Sequence, residues 1–297
     1  MRSRDTLMNW SGNILLYGFL SLLFLVTFFP FWQIFVLSIN DGTDSLRGGF
    51  LLWPRDVSLE SYSAVFSNPE ILTSVKVTLL RTVLGVPLSV FCIALLAYVL
   101  SKKDLVGSRF VNLFFVFTMY FSGGLIPTYM IVKSLGLIDN FLVFLFPGLI
   151  NIFWMVLIRT FMEGLPRELE ESAQIDGAND VKIFVKVILP VCVPVLATVG
   201  LFSAISHWNA WYDSYIYTYN PDLKTLQAVL VKILNQYQTG DMLNEAQQLA
   251  NESKKIPVTG ESIRMTVTMV ATLPIILVYP FVQRFFLKGM LLGAVKN

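Results

Sequence analysis

Long apolar stretches separated by shorter polar ones make up most of this 297-residue chain. A helix needs about 20 mostly apolar residues to cross the hydrocarbon of a membrane. Six stretches are long enough, and we expect each of them to form a membrane-spanning helix. They lie at about 14–39, 71–100, 110–132, 140–161, 183–211 and 266–287. The pattern therefore predicts an all-α membrane protein, with a single transmembrane domain over residues 1–297.

Every predicted span contains proline. The prolines are Pro30, Pro87, Pro127, Pro147, Pro190, Pro194, Pro274 and Pro280. In a membrane this is compatible with helices, because neighbouring helices re-satisfy the carbonyls that proline frees, and broken helices are common in transporters. The run Ser122-Gly123-Gly124 just before Pro127 marks the third span as the one to break. Alternatively, these glycines only let helices approach closely.

The composition agrees with a membrane protein. Hydrophobic residues make up 55% of the chain and charged residues 14%, with a mean hydropathy of +0.65, whereas soluble domains average about 25% charged residues. A net charge of +2 is too small to suggest nucleic acid as a partner. The first apolar run far exceeds the roughly 7–15 residues of a signal peptide, so we expect an uncleaved first span.

The short polar segments rich in lysine and arginine all fall on one side of the predicted topology. The basic residues in these segments and at the adjoining ends of the spans are Arg2, Arg4, Lys102, Lys103, Arg109, Arg159, Arg167, Lys182, Lys186, Arg284, Lys288 and Lys296. Short basic loops face the cytoplasm. We therefore expect both termini and the loop at 163–182 to be cytoplasmic, and the longer loops at 40–70 and 212–265 to be extracytoplasmic.

The predicted spans contain no acidic residues, and the chain has no recognisable nucleotide-binding or metal-binding motif. All 20 Asp and Glu residues lie outside them, which argues against a proton-coupled carrier, although backbone carbonyls at broken helices could still hold sodium. The sequence contains no phosphate-binding Gly-x-x-x-x-Gly-Lys-Ser/Thr loop. Its single histidine, His207, and its two cysteines have no metal-ligand spacing. We expect no enzyme activity and no cofactor or metal, so any chemical energy that the protein uses must come from a partner.

The polar loop at 163–182 has the pattern of a short surface helix. Glu168, Glu170 and Glu171 follow Pro166, and negative charge is favoured near a helix N-terminus. Gly177 can adopt the positive φ that ends a helix. Asp180 then offers a cap for the next helix, which leads into the fifth span. On charge pattern alone, an ordinary solvated connection between two spans would look the same.

The order of residues in this loop resembles the coupling loop of the membrane-spanning subunits of ABC importers. Glu171, Ala173 and Gly177 are followed at the family's spacing by Ile188-Leu189-Pro190, with Ser172 where the family usually has alanine. The resemblance implies a helix that docks on an ATPase, with the Glu171 carboxylate pairing with a basic residue there. It assigns ATPase coupling to Glu170, Glu171, Ala173, Asp176, Gly177, Ala178, Phe184, Leu189 and Pro190.

The resemblance extends over most of the chain. Residues 121–129, 135–137, 208–211 and the tail at 288–296 are similar to the carbohydrate-uptake branch of these permeases, and to its subfamily for complex oligosaccharides such as pectin and alginate fragments. Asn297 stands where the family tail usually ends in glycine. The tail either reaches the ATPase or anchors the chain at the inner membrane face.

The resemblance also implies partners. They are a homologous permease in a heterodimer, two ATP-binding subunits that hold ATP and Mg, and an extracytoplasmic solute-binding protein, all at a bacterial cytoplasmic membrane and without nucleic acid. Apolar residues spaced for an amphipathic helix between 220 and 260 either meet the solute-binding protein or cover the outer mouth.

A second group of side chains is a candidate substrate pathway. It consists of Arg81, Trp208, Asn209, Trp211, Tyr212 and Asp213. Aromatic faces stack on sugar rings, and Asn or Asp side chains bond hydroxyls; an interfacial aromatic belt is the alternative. Arg81 either attracts substrate carboxylates or extends to the lipid headgroups.

The sequence thus predicts an importer permease that moves oligosaccharides by alternating access. A permease for a non-sugar solute, an ion-gradient-driven carrier and a non-transporting scaffold remain alternatives.

Overall fold

The computed structural model describes residues 2–45, 47–102, 104–235 and 258–294. In these ranges the chain is helical without a β-strand, apart from one isolated bridge between Asn40 and Val57. The predicted all-α class is confirmed. The chain divides into two compact units, residues 1–69 with 232–273 and residues 70–231 with 274–297. The assignment of the whole chain to a single transmembrane domain stays a prediction.

Fourteen α-helices are present in the described ranges, numbered here in chain order. They are α1 (Arg2–Ser38), α2 (Gly42–Ser45), α3 (Glu60–Ser67), α4 (Pro69–Ser101), α5 (Ser108–Tyr120), α6 (Leu125–Ser134), α7 (Ile152–Glu163), α8 (Glu168–Ile175), α9 (Asp180–Ile183), α10 (Leu189–Val191), α11 (Val193–Asn209), α12 (Tyr212–Tyr217), α13 (Leu226–Asn235) and α14 (Gly260–Ala294).

Three continuous helices are long and apolar enough to cross a membrane: Gly12–Ser38 in α1, the whole of α4, and Gly260–Leu277 in α14. They correspond to the first, second and sixth predicted spans. Pro30 and Pro87 lie inside α1 and α4 without interrupting them. Two further spans are available in the described ranges if each of two bent helix pairs counts as one.

The third predicted span is broken where the sequence indicated. Helices α5 and α6 meet at 114° across residues 121–124, and Gly124 has φ +83°, which a glycine adopts without a steric cost. No residue of α5 is buried, and Val132 is the only buried residue of α6. The glycines therefore serve a chain reversal in this place, and close packing of another helix against them stays a prediction.

The prediction of a continuous helix over 140–161 is wrong. A short 3₁₀ turn at Phe141–Phe144 is followed by non-helical backbone, and α7 begins only at Ile152. Pro147 cannot donate a helical hydrogen bond and Gly148 adds backbone freedom, so the apolar run is interrupted. The Asn151 side chain then caps α7 by accepting a bond from the Trp154 amide at 3.2 Å. At 12 residues, α7 is about 18 Å long.

The fifth predicted span is bent as well as helical. The segments Asp180–Val191 and Val193–Asn209 meet at 80° at Cys192. The first segment contains a π-helical turn at Phe184–Ile188, an irregularity that is frequent at functional sites. Pro190 and Pro194 lie on either side of the bend, and each removes an intrahelical hydrogen bond. A single straight span over 183–211 is therefore not formed.

Two further sequence predictions concern the end of the chain. Helix α13 confirms an amphipathic helix for part of the 220–260 segment, with Leu226 and Leu230 buried; residues 236–257 lie outside the described ranges. Helix α14 extends to Ala294, and the last three residues also lie outside them. Contact between the tail and an ATPase stays a prediction.

A large buried cluster lies within the second unit. It joins the second half of α4 to α7, to the π-helical turn and to the start of α11, through Ile93, Ala97, Ile158, Ile183, Phe184 and Val199. This cluster is the packed base on which the polar loop after α7 rests.

Candidate functional site

The polar loop between α7 and α9 has the predicted helix and turn. Helix α8 begins with three carboxylates in its first turn, and Gly177 follows it with φ +76°. The amides of Gly177 and Ala178 return to the Gln174 and Ala173 carbonyls, each at 2.9 Å. This geometry closes the last turn of α8 and redirects the chain toward α9.

The predicted cap of the following helix is wrong by one residue. The Asn179 side chain accepts a bond from the Lys182 amide at 2.9 Å. Asn179 has the extended conformation of a cap residue, whereas Asp180 is already the first residue of α9. Asparagine and aspartate cap helices about equally well, so residue type alone could not decide between these neighbours.

Helix α8 presents one face to the protein and another to solvent. Ala173 and, beyond the turn, Ala178 pack against the buried cluster that contains Phe184. Glu171, Ile175 and Asp176 are exposed, Ile175 at 86%. Residues four apart are neighbours on a helix surface, so Glu171 and Ile175 form one patch. Ile175 was not among the residues predicted from the sequence, although its spacing of four from Glu171 places it on the same helix face.

The residues assigned to ATPase coupling therefore fall into two groups. Glu171, Asp176, Gly177 and Pro190 are exposed, so a partner could contact them. Ala173, Ala178 and Leu189 are partly buried and Phe184 is 2% exposed, so these residues support the helix from below. The Phe184 ring lies 5.1 Å from the Tyr98 ring, centroid to centroid.

Glu170 belongs with the supporting residues. Its carboxylate forms an ion pair with the Lys102 ammonium just after α4, and that ammonium lies 4.3 Å from the centre of the Tyr98 ring. Burial by itself would lower the pKa of Lys102, but the hydrogen bond to Glu170 opposes it and the pKa is raised above its ordinary value. Glu170, Lys102, Tyr98 and Phe184 thus form a continuous contact path from α8 to α4 and the π-helical turn. Sequence analysis counted Lys102 only as a loop charge.

Reversing the two charges tests this contact. Lys102→Glu and Glu170→Lys are each expected to bring like charges together, to lower stability by about 0.5–1 kcal/mol since the pair is partly exposed, and to weaken coupling. The double variant is expected to recover both properties. Thermal unfolding in detergent and ATP-dependent uptake provide the two readouts.

The control for this experiment is Glu168→Lys. This variant makes the same negative-to-positive change as Glu170→Lys in the same turn of α8, but at an exposed position. A double variant no better than the single variants would show that the ion pair has no role.

A second polar cluster surrounds Arg81 on α4. Arg81 is 3% exposed, and its guanidinium makes two bonds to Asp213, from Nη1 to Oδ1 at 3.1 Å and from Nη2 to Oδ2 at 2.5 Å. It also lies 4.8 Å from the centre of the Phe144 ring. The alternative in which Arg81 extends to the lipid headgroups is therefore wrong, because the side chain is directed into the protein.

The other four predicted substrate residues do not line a cavity with Arg81 and Asp213. Trp208 is buried, whereas Asn209, Trp211 and Tyr212 are exposed, and the Trp211 and Tyr212 rings meet edge to face with centroids 5.7 Å apart. Of the six predicted residues, Arg81 and Asp213 line a common cavity. The assignment of Trp208, Asn209, Trp211 and Tyr212 to a substrate pathway stays a prediction.

The cavity beside Arg81 has a volume of about 350 Å³. Helices α4, α7, α11 and α12 contribute to its wall, and so does the non-helical segment before α7. Besides Arg81 and Asp213, its polar lining includes Ser203, His207, Asn151 and Trp154. Gly85 leaves room for the imidazole, since a Cβ there would come within 2.7 Å of the His207 ring. Sequence analysis could not find Ser203 or Asn151, because small polar residues are frequent in apolar runs.

Metal binding has no support in the described ranges, where no cluster of three or more His, Cys, Asp or Glu side chains could hold an ion. The two candidate sites are therefore the partly exposed helix α8, which packs against the buried cluster, and the polar cavity beside Arg81.

Comparison with known proteins gives a consistent result. Residues 61–292 match the family described as binding-protein-dependent transport system inner membrane component. The polygalacturonan/rhamnogalacturonan transport system permease protein YtcP of Bacillus subtilis (strain 168) is 38% identical over 287 residues, which are 96% of this chain and 98% of YtcP. Protein LplC of the same organism is also 38% identical, over 92% of this chain and 90% of LplC.

Solved structures show the same relationship. A chain of a bacterial ABC transporter involved in the import of the acidic polysaccharide alginate has a TM-score of 0.83 and 30% identity, covering 94% of this chain and 98% of that one. A chain of a bacterial alginate ABC transporter in complex with an alginate pentasaccharide-bound periplasmic protein has a TM-score of 0.54 at 14% identity, over 94% of both chains. The latter similarity concerns the fold alone.

Proposed function

Because the chain belongs to the family of binding-protein-dependent transport system inner membrane components, we propose that it moves oligosaccharides through the inner membrane as one permease subunit of an ATP-driven importer. It is a membrane component without enzyme activity of its own. The proposal includes both termini and the loop at 163–182 on the cytoplasmic side.

The observation that carries the proposal is the division of α8 into two faces. Its protein-facing, partly buried face is held by Ala173 and by the Glu170–Lys102 ion pair, while Glu171 and Ile175 remain exposed. An exposed carboxylate next to an exposed apolar side chain suits a protein groove that carries a basic residue. Because α8 is attached to α4 and the π-helical turn, a force applied by a partner would reach both elements.

The substrate class follows from the relatives. One is a polygalacturonan/rhamnogalacturonan permease and another belongs to an importer of alginate. Both transport systems are named for acidic polysaccharides, so uronate-containing oligosaccharides are the proposed cargo. The proposed solute-binding partner is supported by the family, whose transport systems are binding-protein-dependent.

The other proposed partners are a homologous permease and two ATP-binding subunits, with ATP and Mg on the latter. Helices α5 and α6 support the permease partner, because an apolar broken helix with almost no buried residue needs a protein or a cavity to cover its backbone. Closure of the ATP-binding pair would then move α8 and change the side of the membrane to which the pathway opens.

The test is the ATPase activity of the complex reconstituted in vesicles with its solute-binding protein. A galacturonic acid trisaccharide is expected to stimulate hydrolysis when the binding protein is present, and maltotriose to stimulate it less. Vesicles that lack the binding protein are the control. Sugar uptake that follows an ion gradient and ignores ATP would replace the proposal with a secondary carrier, and stimulation by a non-sugar solute alone would change the substrate class.

A further inference from the structure

The cavity beside Arg81 contains buried polar atoms without a partner. Arg81 and Ser203 are 3% and 1% exposed, and neither Arg81 Nε nor Ser203 Oγ makes a hydrogen bond. His207 Nδ1 is also buried and unbonded. All three residues line the same space. An unpaired buried polar group costs about 1–3 kcal/mol, so three of them around one cavity indicate that it receives a polar occupant.

The hydrogen-bonding groups that line the cavity indicate which kind of ligand it would bind. Both Nη groups of Arg81 are already bonded to Asp213, so the positive charge is neutralised within the site. The buried atoms of the lining that make no hydrogen bond are one N–H donor, one hydroxyl and one imidazole nitrogen. Sugar hydroxyls donate and accept equally well and match this set, whereas a carboxylate would be placed beside the carboxylate of Asp213 and repelled.

The cavity reaches the surface through irregular backbone. Pro147, Gly148 and Asn151 line it and are exposed, and they lie in the non-helical segment that interrupts an apolar run. Non-helical backbone at membrane depth is tolerated only where protein or a water-filled cavity covers it. Interrupted apolar segments of this kind mark the binding sites of transporters. We therefore expect the mouth of the cavity to face an aqueous path or a partner subunit and not lipid.

We propose that this cavity is a sugar subsite on the translocation pathway, which binds the hydroxyl face of one sugar residue through Arg81 Nε, Ser203 and His207. The proposal rests on the proposed function. It implies that a uronate substrate enters with its carboxylate directed away from Asp213. Helix α7 contributes Trp154 to the wall, which suits contact with the apolar face of a sugar ring.

Thiol labelling tests the proposal without relying on transport. Ser203→Cys is introduced into a chain with Cys92 and Cys192 replaced by alanine, and the full complex is treated with a small water-soluble thiosulfonate. We expect labelling in the nucleotide-free or the ATP-bound state. Sugar-loaded binding protein is expected to slow it about tenfold when the sugar is at about ten times its half-protecting concentration, because only the unoccupied fraction reacts.

Ser74→Cys in the same background is the matched control. Ser74 is equally buried in α4, but its hydroxyl bonds to the Ile71 carbonyl and it does not line the cavity, so it is expected to stay unlabelled. Galacturonic acid trisaccharide and maltotriose serve as the two sugars.

Two results would overturn the subsite. Labelling of Ser203→Cys that neither sugar slows would show a cavity that holds water only. An absence of labelling in both nucleotide states would show a cavity closed to solutes. Either result together with sugar-stimulated ATPase activity in the same vesicles would leave the proposed function intact, whereas a failure of all stimulation and uptake would remove both.

Discussion

Replacing Glu171 with alanine is expected to abolish most ATP-dependent uptake while leaving the protein folded and inserted. The Glu171 side chain is exposed on α8, and exposed substitutions change stability by no more than about 0.5 kcal/mol. In the proposed complex it becomes one partner of an interfacial charge pair, and truncation of such a pair costs about 2–5 kcal/mol, which corresponds to a loss of at least about tenfold. Uptake and binding-protein-stimulated ATPase activity in vesicles are the measurements.

Glu168→Ala is the matched control for this variant. Glu168 is also an exposed carboxylate in the first turn of α8, and its removal changes the helix charge equally. Gly177→Pro is expected to have the same effect as Glu171→Ala, since proline cannot adopt the φ of +76° found there, while Gly177→Asn is expected to be tolerated. Equal uptake by Glu171→Ala and Glu168→Ala would refute the docking role of Glu171.

Removing Asp213 is expected to cause the largest loss of stability. Asp213→Ala leaves the buried Arg81 guanidinium without its two bonds. Breaking a buried ion pair on one side costs about 3–5 kcal/mol. The unfolding midpoint in mild detergent is expected to fall clearly, and the amount of protein in the membrane with it.

The double variant Arg81→Met with Asp213→Leu is expected to recover much of that stability, because replacing both charges by apolar groups of similar volume is often neutral. Asp222→Ala, at an exposed position a few residues further on, is expected to change the midpoint little. If Asp213→Ala unfolded at the same temperature as Asp222→Ala, the ion pair would not stabilise the fold. A double variant that folds without transport would assign the pair to the pathway as well.

Helix α8, to which we assign the coupling role, could be predicted from the sequence because its determinants are local. Carboxylates at the start of α8 and Gly177 at its end act within one turn of the helix. The choice between Asn179 and Asp180 as the next cap was beyond the sequence, since both residue types cap well and backbone geometry decides between them. The role of Glu170 was also beyond it, because Lys102 lies 68 residues away.

Apolar length by itself determined that the chain is a helical membrane protein, because the cost of burying backbone in lipid leaves few alternatives to a helix. Proline and glycine in those runs indicated where helices break, but the angle of each break depends on what packs around it. Only the tertiary structure placed Arg81 against Asp213, which is 132 residues away in sequence. Because of that contact, a basic residue in an apolar helix lines a polar cavity. Contacts between distant residues depend on how helices pack. A hydropathy pattern shows which face of a helix is apolar, but it does not show which other helix packs against that face.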